Sequence, residues 1–252
     1  MPVPAETIHD VDPQALRVLV TGYGPFRSFK VNPSWLAVKP LHNTTVRTAD
    51  DRPIHITSLE VPTLYQSVLA LAPSLHARPP VVPTPKDPAM AVAPPPPDGY
   101  DFILHVGVMS KSGNPIKLEQ RGRKFGYDQD DAEGNLCEVV EEAGGVDGKP
   151  KRGFGKGYEE LADELFTPID CAKLAEHLKA TGTEQVALSV DAGLYLCEFI
   201  NYASLAESKR TEATTKSTPV LFIHIPPVGE PLSTEECTDA LRKTISWVCS
   251  QS

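Results

Sequence analysis

The sequence predicts an α/β protein, a single domain built as a three-layer α/β/α sandwich around a mixed, mostly parallel open sheet. Short β-branched apolar runs, at 100–108, 185–190 and 220–225, read as buried strands. Between such runs lie segments whose apolar residues recur at helical spacing, and the two types alternate with no internal repeat. The 252 residues are enough for one sizeable core.

Residues 1–15 are polar and proline-spaced, and read as a loose arm. The first six lack the basic and apolar regions of a secretory signal. Residues 16–20 form the first strand, followed by a turn rich in Gly22, Gly24 and Pro25. That turn does not complete G-x-G-x-x-G, because Arg27 holds the third position, so a dinucleotide site is rejected. Residues 32–38 start a helix, with Asn32 as N-cap and Pro33 in the first turn. Residues 54–62 alternate and stop at Pro62, as a strand does, and 63–71 read as a helix.

The pattern then breaks. Nine of the nineteen residues from Pro79 to Pro97 are proline, and proline lacks a backbone donor and fixes φ, so 78–99 can be neither helix nor interior strand. This stretch reads as an exposed insertion. Its Pro80-Val81-Val82-Pro83 has the form of a ligand for SH3-type partners, a pattern common in proline-rich loops that bind nothing. A second irregular region, acidic and glycine-rich, covers 128–160 and reads as poorly packed, near the entrance of a site or acting as a lid. A helix over 167–179 follows, with Pro168 near its start and Lys179 near its end. Beyond the strand at 185–190, apolar residues at 199, 202, 203 and 206 mark a helix, and 207–218 reads as a polar connection. Ser233 and Glu236 form a capping box for a last helix to about Val248.

A net charge of −9 with no basic cluster argues against a nucleic-acid partner. No apolar run approaches the roughly 18 residues of a membrane span. Five widely spaced cysteines, an odd number, read as reduced thiols of a cytoplasmic protein rather than a disulfide framework. Neither Cys-x-x-Cys nor His-x-x-x-His occurs, so no metal site is expected.

The chemistry-bearing constellation starts at Cys197. It sits at the start of a helix that follows a strand, where unpaired N–H groups and the positive helix end favour a thiolate, the nucleophilic form of cysteine. A buried structural thiol is the plainer alternative. A nucleophile needs a base and a group to orient it. His224, near the end of the 220–225 strand, and Glu119, after the 100–108 strand, offer these, and ligand sites of open α/β sheets lie beyond strand carboxyl ends. His105 lies inside an apolar strand and reads as a core histidine, and His177 as an exposed one. Arg121, Arg123 and Lys124 near the carboxylate read as a solvated basic face.

Four blocks resemble the pyroglutamyl peptidase I family of cysteine peptidases, in the family's order and over about residues 17 to 230. They are Val18 to Phe26 continuing through Val31-Asn32-Pro33-Ser34-Trp35; His105-Val106-Gly107-Val108 with Leu118-Glu119; Asp191-Ala192-Gly193 with Tyr195-Leu196-Cys197; and Phe222-Ile223-His224-Ile225-Pro226-Pro227. The last two are closer to animal-type members. The resemblance implies a catalytic triad of Cys197, His224 and Glu119, no cofactor, and N-terminally pyroglutamylated peptides as partners. It implies Tyr23 and Phe26 as aromatic walls for the substrate's lactam ring, Asn32 as a brace of that loop or the ligand, and Val108 as a further substrate contact. Three departures stand out. Arg27-Ser28 and Phe29 replace residues that are small or polar in the family. Both irregular regions are longer than the family's. Bacterial members carry an arginine about ten residues after the triad glutamate, where this chain has Gln129. An inactive relative that binds peptides without cleaving them, or a hydrolase of other specificity, remains open at this point. A serine hydrolase is disfavoured by the lack of Gly-x-Ser-x-Gly.

Overall fold

The computed structural model describes residues 11–251 except 28, 86, 111, 213–215 and 230, and not the side chain of 147. Most of the expected N-terminal arm and part of the 207–218 connection therefore lie outside the described residues. In chain order the elements are β1 (Leu16–Tyr23), α1 (Pro33–Val38), β2 (Thr44–Arg47), β3 (Pro53–Val61), α2 (Tyr65–His76), β4 (Phe102–Val108), β5 (Ile116–Glu119), β6 (Arg121–Arg123), β7 (Val139–Glu141), β8 (Lys151–Arg152), β9 (Glu164–Phe166), α3 (Cys171–Ala180), β10 (Val186–Ser189), α4 (Leu196–Glu212), β11 (Val220–Ile225) and α5 (Thr234–Cys249).

Seven strands form one sheet in the order β10-β5-β11-β4-β1-β3-β2. β1 pairs in parallel with β3 and β4, β4 with β11, and β5 with β10, whereas β5–β11 and β2–β3 are antiparallel. The sheet is thus mixed and mostly parallel. Alternate residues of its strands feed two cores. Val18 and Val20, Ile54 and Ile56, and Leu221 and Ile223 face α1, α3 and α5. Leu19, Ile103, Val220 and Phe222 face α2 and α4. These two covered faces make the three layers. No helix among the described residues is long and apolar enough to cross a membrane.

Local signals place several boundaries. Asn32 caps α1, its side chain accepting from Ser34 N–H at 3.1 Å, and the capping box at Ser233 and Glu236 is present. Other boundaries shift. α3 starts at Cys171, after Pro168, because the Asp170 carboxylate accepts from Lys173 N–H at 3.0 Å and takes the cap. α4 runs through what looked like a polar connection, to Glu212. Its first two polar residues there are buried and satisfied from elsewhere: Tyr158 Oη donates to Glu207 at 3.2 Å and Ser208 Oγ to Thr218 C=O at 2.5 Å. β5 is a strand that a four-residue run did not announce, and it reverses the local sheet direction.

Neither irregular region is as loose as its composition suggests. In the proline-rich stretch Asp87 caps a short 3₁₀ turn at Pro88–Met90, and Met90 and Ala93 are only 5% and 3% exposed. Met90 joins the core beneath α1 and α5. Prolines bar regular hydrogen bonding, but they do not stop interspersed apolar side chains from burying area. Met90→Ala should therefore cost about 2–3 kcal/mol in urea unfolding; a loss under about 0.5 kcal/mol would return the segment to a passive surface loop. In the acidic region, Cys137, Phe154 and Tyr158 join the core around α4, with Tyr127 just before it. Phe154 stacks on Phe199 with ring centroids 4.1 Å apart. Aromatic residues dispersed among glycines supply the burial that the acidic positions cannot.

Candidate active site

The site forms where the carboxyl ends of β4 and β11 meet the head of α4. His224 lies within β11, one residue from its end, and is buried. Glu119 is the last residue of β5. Because β5 runs antiparallel to β11, with Glu119 opposite Phe222 and Lys117 opposite His224, the carboxylate and the imidazole share one sheet face. Glu119 Oε1 lies 2.8 Å from His224 Nδ1, with Glu119 0% and His224 6% exposed. Glu119 thus lies at the carboxyl end of its own strand, as expected, but that strand runs against β11, so the carboxylate arrives from the opposite direction.

Cys197 is the second residue of α4 and half-buried. Its sulfur stands near enough to the His224 ring to act on its charge, while Nδ1 of that ring is taken by Glu119. Burial pulls the His224 pKa down, but the sulfur and the Glu119 carboxylate outweigh it and raise the ring to about 9. The first bond of α4 runs from Phe199 N–H to Tyr195 C=O at 2.8 Å. The N–H of Cys197 therefore belongs to the turn without intrahelical partners, available to a developing oxyanion. β4 backs the sulfur closely: a Cβ at Gly107 would stand 2.8 Å from Cys197 Sγ and 2.7 Å from the Phe222 ring. Only glycine lets the strand approach that near. Val108, the next residue, is partly exposed and pairs with Ile225 at the mouth of the site.

The loop after β1 forms the opposite wall. Tyr23 is buried and its hydroxyl donates to Leu196 C=O at 2.5 Å, tying β1 to the head of α4. Phe26 is partly exposed, with its ring 5.4 Å from that of Tyr195. The Arg27 guanidinium lies 4.8 Å above the Phe26 ring, and the Arg27 backbone is left-handed at φ 49°. Asn32 Nδ2 donates to Gly24 C=O at 3.2 Å while Oδ1 holds Ser34, so its polar atoms brace the loop. The acidic region touches this wall through Asp130 C=O, which accepts from Tyr195 Oη at 3.0 Å, and through Gln129, which faces Arg27 at 3.5 Å.

His105 is fully buried, its Nδ1 2.7 Å from Thr21 Oγ1, and burial with nearby His76 pushes its pKa down to about 3. The four other cysteines are buried and free, and burial raises each to about 12. No cluster of His, Cys, Asp or Glu among the described residues is arranged to hold a metal. A cavity of about 750 Å³ opens between α2 and the proline-rich segment, touching Gly24 and Pro25 but none of the three triad residues. The supposed basic face is not solvated. Lys124 is buried on backbone carbonyls, Arg121 bonds Val190 C=O and Glu164, and Arg123 pairs with Glu198. Sequence reasoning missed Arg123 and Glu198, whose one signal was opposite charge near two expected site residues.

The profile of the family described as pyroglutamyl peptidase matches residues 16–79. Human pyroglutamyl-peptidase 1 is 29% identical over 233 residues, covering 90% of this chain and 87% of its own. The pyrrolidone-carboxylate peptidase of Bacillus velezensis is 26% identical over 216 residues, covering 85% and 80%. The crystal structure of Bacillus amyloliquefaciens pyroglutamyl peptidase I matches with a TM-score of 0.64 at 25% identity, over 92% of this chain and 96% of that one. The pyrrolidone carboxyl peptidase structure from Fervidobacterium islandicum shares the fold with a TM-score of 0.66 at 23% identity, over 92% and 97%.

Proposed function

We propose, on the premise that this chain is a cysteine-type hydrolase of the pyroglutamyl peptidase I family it resembles, that it removes the N-terminal pyroglutamyl residue from peptides through Cys197, His224 and Glu119. The observation that carries the proposal is one buried imidazole bonded to a carboxylate, with a helix-head thiol near enough to raise its pKa. The raised pKa of His224 favours a thiolate–imidazolium pair at neutral pH. The sulfur attacks the pyroglutamyl carbonyl carbon, and the resulting oxyanion meets the N–H groups at the head of α4. As the C–N bond breaks, His224 gives its proton to the leaving amine, and a thioester remains. Water then attacks the thioester, with His224 taking the water proton, and pyroglutamate leaves as Cys197 is restored. Glu119 keeps the ring oriented and its charge compensated throughout. We place the reaction in a reducing cytoplasm, consistent with five free thiols.

Turnover of a pyroglutamyl aminocoumarin tests this reading. Release of the fluorophore supports it, while an inert protein that still binds pyroglutamyl peptides would favour the non-cleaving relative. The pH profile adds a second check. Because the His224 pKa is raised, the imidazolium persists through neutral pH and is lost as pH rises through about 9. kcat/KM should accordingly hold across neutral pH and fall above about 9, where the leaving amine loses its proton donor. A profile that instead rises steeply through pH 9–10 would mean that His224 carries no catalytic proton.

A further inference from the structure

We propose that Arg123 is a positioning residue for Cys197: its guanidinium fixes the loop that delivers the thiol and neutralises the Glu198 carboxylate next to it in sequence. The proposal rests on the triad reading given above. Arg123 Nε lies 2.5 Å from Glu198 Oε1 and its Nη2 2.6 Å from Oε2, a bidentate pair. The same Nη2 also bonds Asp191, at the start of the loop between β10 and α4. Glu198 is 0% exposed, a buried anion in the first turn of α4.

Both carboxylates in turn hold the loop backbone. Glu198 Oε2 accepts from Leu194 N–H at 2.8 Å, and Asp191 Oδ1 from Gly193 N–H at 3.2 Å. Leu194 is left-handed at φ 43°, a conformation that disfavours a side chain and needs support. Arg123 itself is held from two sides. Tyr127 Oη donates to its carbonyl, and β6 lies against α4 so closely that a Cβ on Gly122 would meet Tyr202 N at 2.7 Å. The four-residue step from Glu119 to Arg123 thus lets one short segment set both the base and the nucleophile.

The charge argument follows from the same geometry. An unpaired carboxylate buried beside the thiol would favour the neutral thiol over the thiolate, cancelling what the helix head supplies. The titratable and charged groups facing the sulfur are His224 from β11, Tyr23 from β1 and Tyr195 from its own loop. Glu119 stands behind His224, and Glu198 follows on α4 with Arg123 behind it.

The test reads the rate of Cys197 labelling by iodoacetamide against pH in the intact protein, which needs no substrate. The four other thiols are buried and titrate near 12, so they do not interfere. Arg123→Gln should move the thiol titration up by one pH unit or more. It should also lower kcat on a pyroglutamyl amide by about 10- to 100-fold with KM little changed, the loss expected for a misplaced reacting group. Arg123→Lys should restore the titration but only part of kcat, because lysine returns the charge without the fork. Arg123→Gln with Glu198→Gln should bring the titration back, and this pair together with Arg123→Lys decides the matter if the single glutamine variant does not fold. Wild-type titration in folded Arg123→Gln, or an unrestored titration in both other variants, overturns the proposal. If the titration moves as expected while the wild-type protein cleaves no pyroglutamyl amide, the positioning role stands and the substrate reading fails.

Discussion

Cys197→Ala should leave a folded protein whose turnover of a pyroglutamyl amide is lower by about 10⁴-fold or more, the scale of nucleophile removal in triad enzymes. The sulfur is half-buried at the head of α4 and its loss removes few packing contacts, so thermal stability should change little. Cys137, Cys171, Cys237 and Cys249 are buried with pKa values near 12, and alanine at any of them should affect stability rather than chemistry. The base is tested in the same way. His224→Ala should approach the Cys197→Ala loss, and it should raise the pH at which iodoacetamide labels the thiol. His105→Ala should cost stability with a much smaller rate effect, since its ring is held by Thr21 in the core. Full turnover in Cys197→Ala, or a raised thiol pKa only in His105→Ala, would refute the assignment.

The second large effect expected is selectivity for the lactam ring. Phe26 and Tyr195 face each other at 5.4 Å between centroids, beside the head of α4. Phe26 is partly exposed, so its ring is accessible to a ligand. A flat five-membered ring placed against such faces buries apolar area at little entropic cost, and its N–H and C=O can be met by backbone groups. A prolyl residue has the ring without the carbonyl, and its free amine is charged. Here that ammonium would approach the Arg27 guanidinium over Phe26, and the groups meant for the carbonyl would be left unpaired. Sites built around a required polar group reject analogues lacking it by about 10⁴-fold. Comparing kcat/KM for pyroglutamyl, prolyl and glutaminyl amides with one leaving group measures this. Similar values for the prolyl and pyroglutamyl amides would exclude a lactam slot. Phe26→Ala should weaken pyroglutamyl cleavage while leaving Cys197 labelling intact.

The fold class, the succession of the main strands along the chain, the start of α1 and both ends of α5 were legible because periodicity and capping are local properties. Asn32 and the Ser233–Glu236 box act within three residues of themselves, and the structure uses them as such. The three triad candidates were legible as residue types in a resembling frame, each beside a strand. What could not be read was how they meet. Cys197, Glu119 and His224 are separated by up to 105 residues, and their convergence depends on β5 running against β11. Strand direction is decided by which neighbours bury which face, a choice that no four-residue run contains. The same holds for packing. Proline and acidic composition suggested an irregular backbone over 78–99 and 128–160, yet a 3₁₀ turn lies in the first and β7 and β8 in the second, and Met90 and Phe154 are core residues because distant elements cover them. Charge is the last case. In sequence Arg123 reads as part of a solvated basic face. It becomes the partner of the buried Glu198 only once β6 lies against α4, because their mutual attraction gains weight as water is excluded.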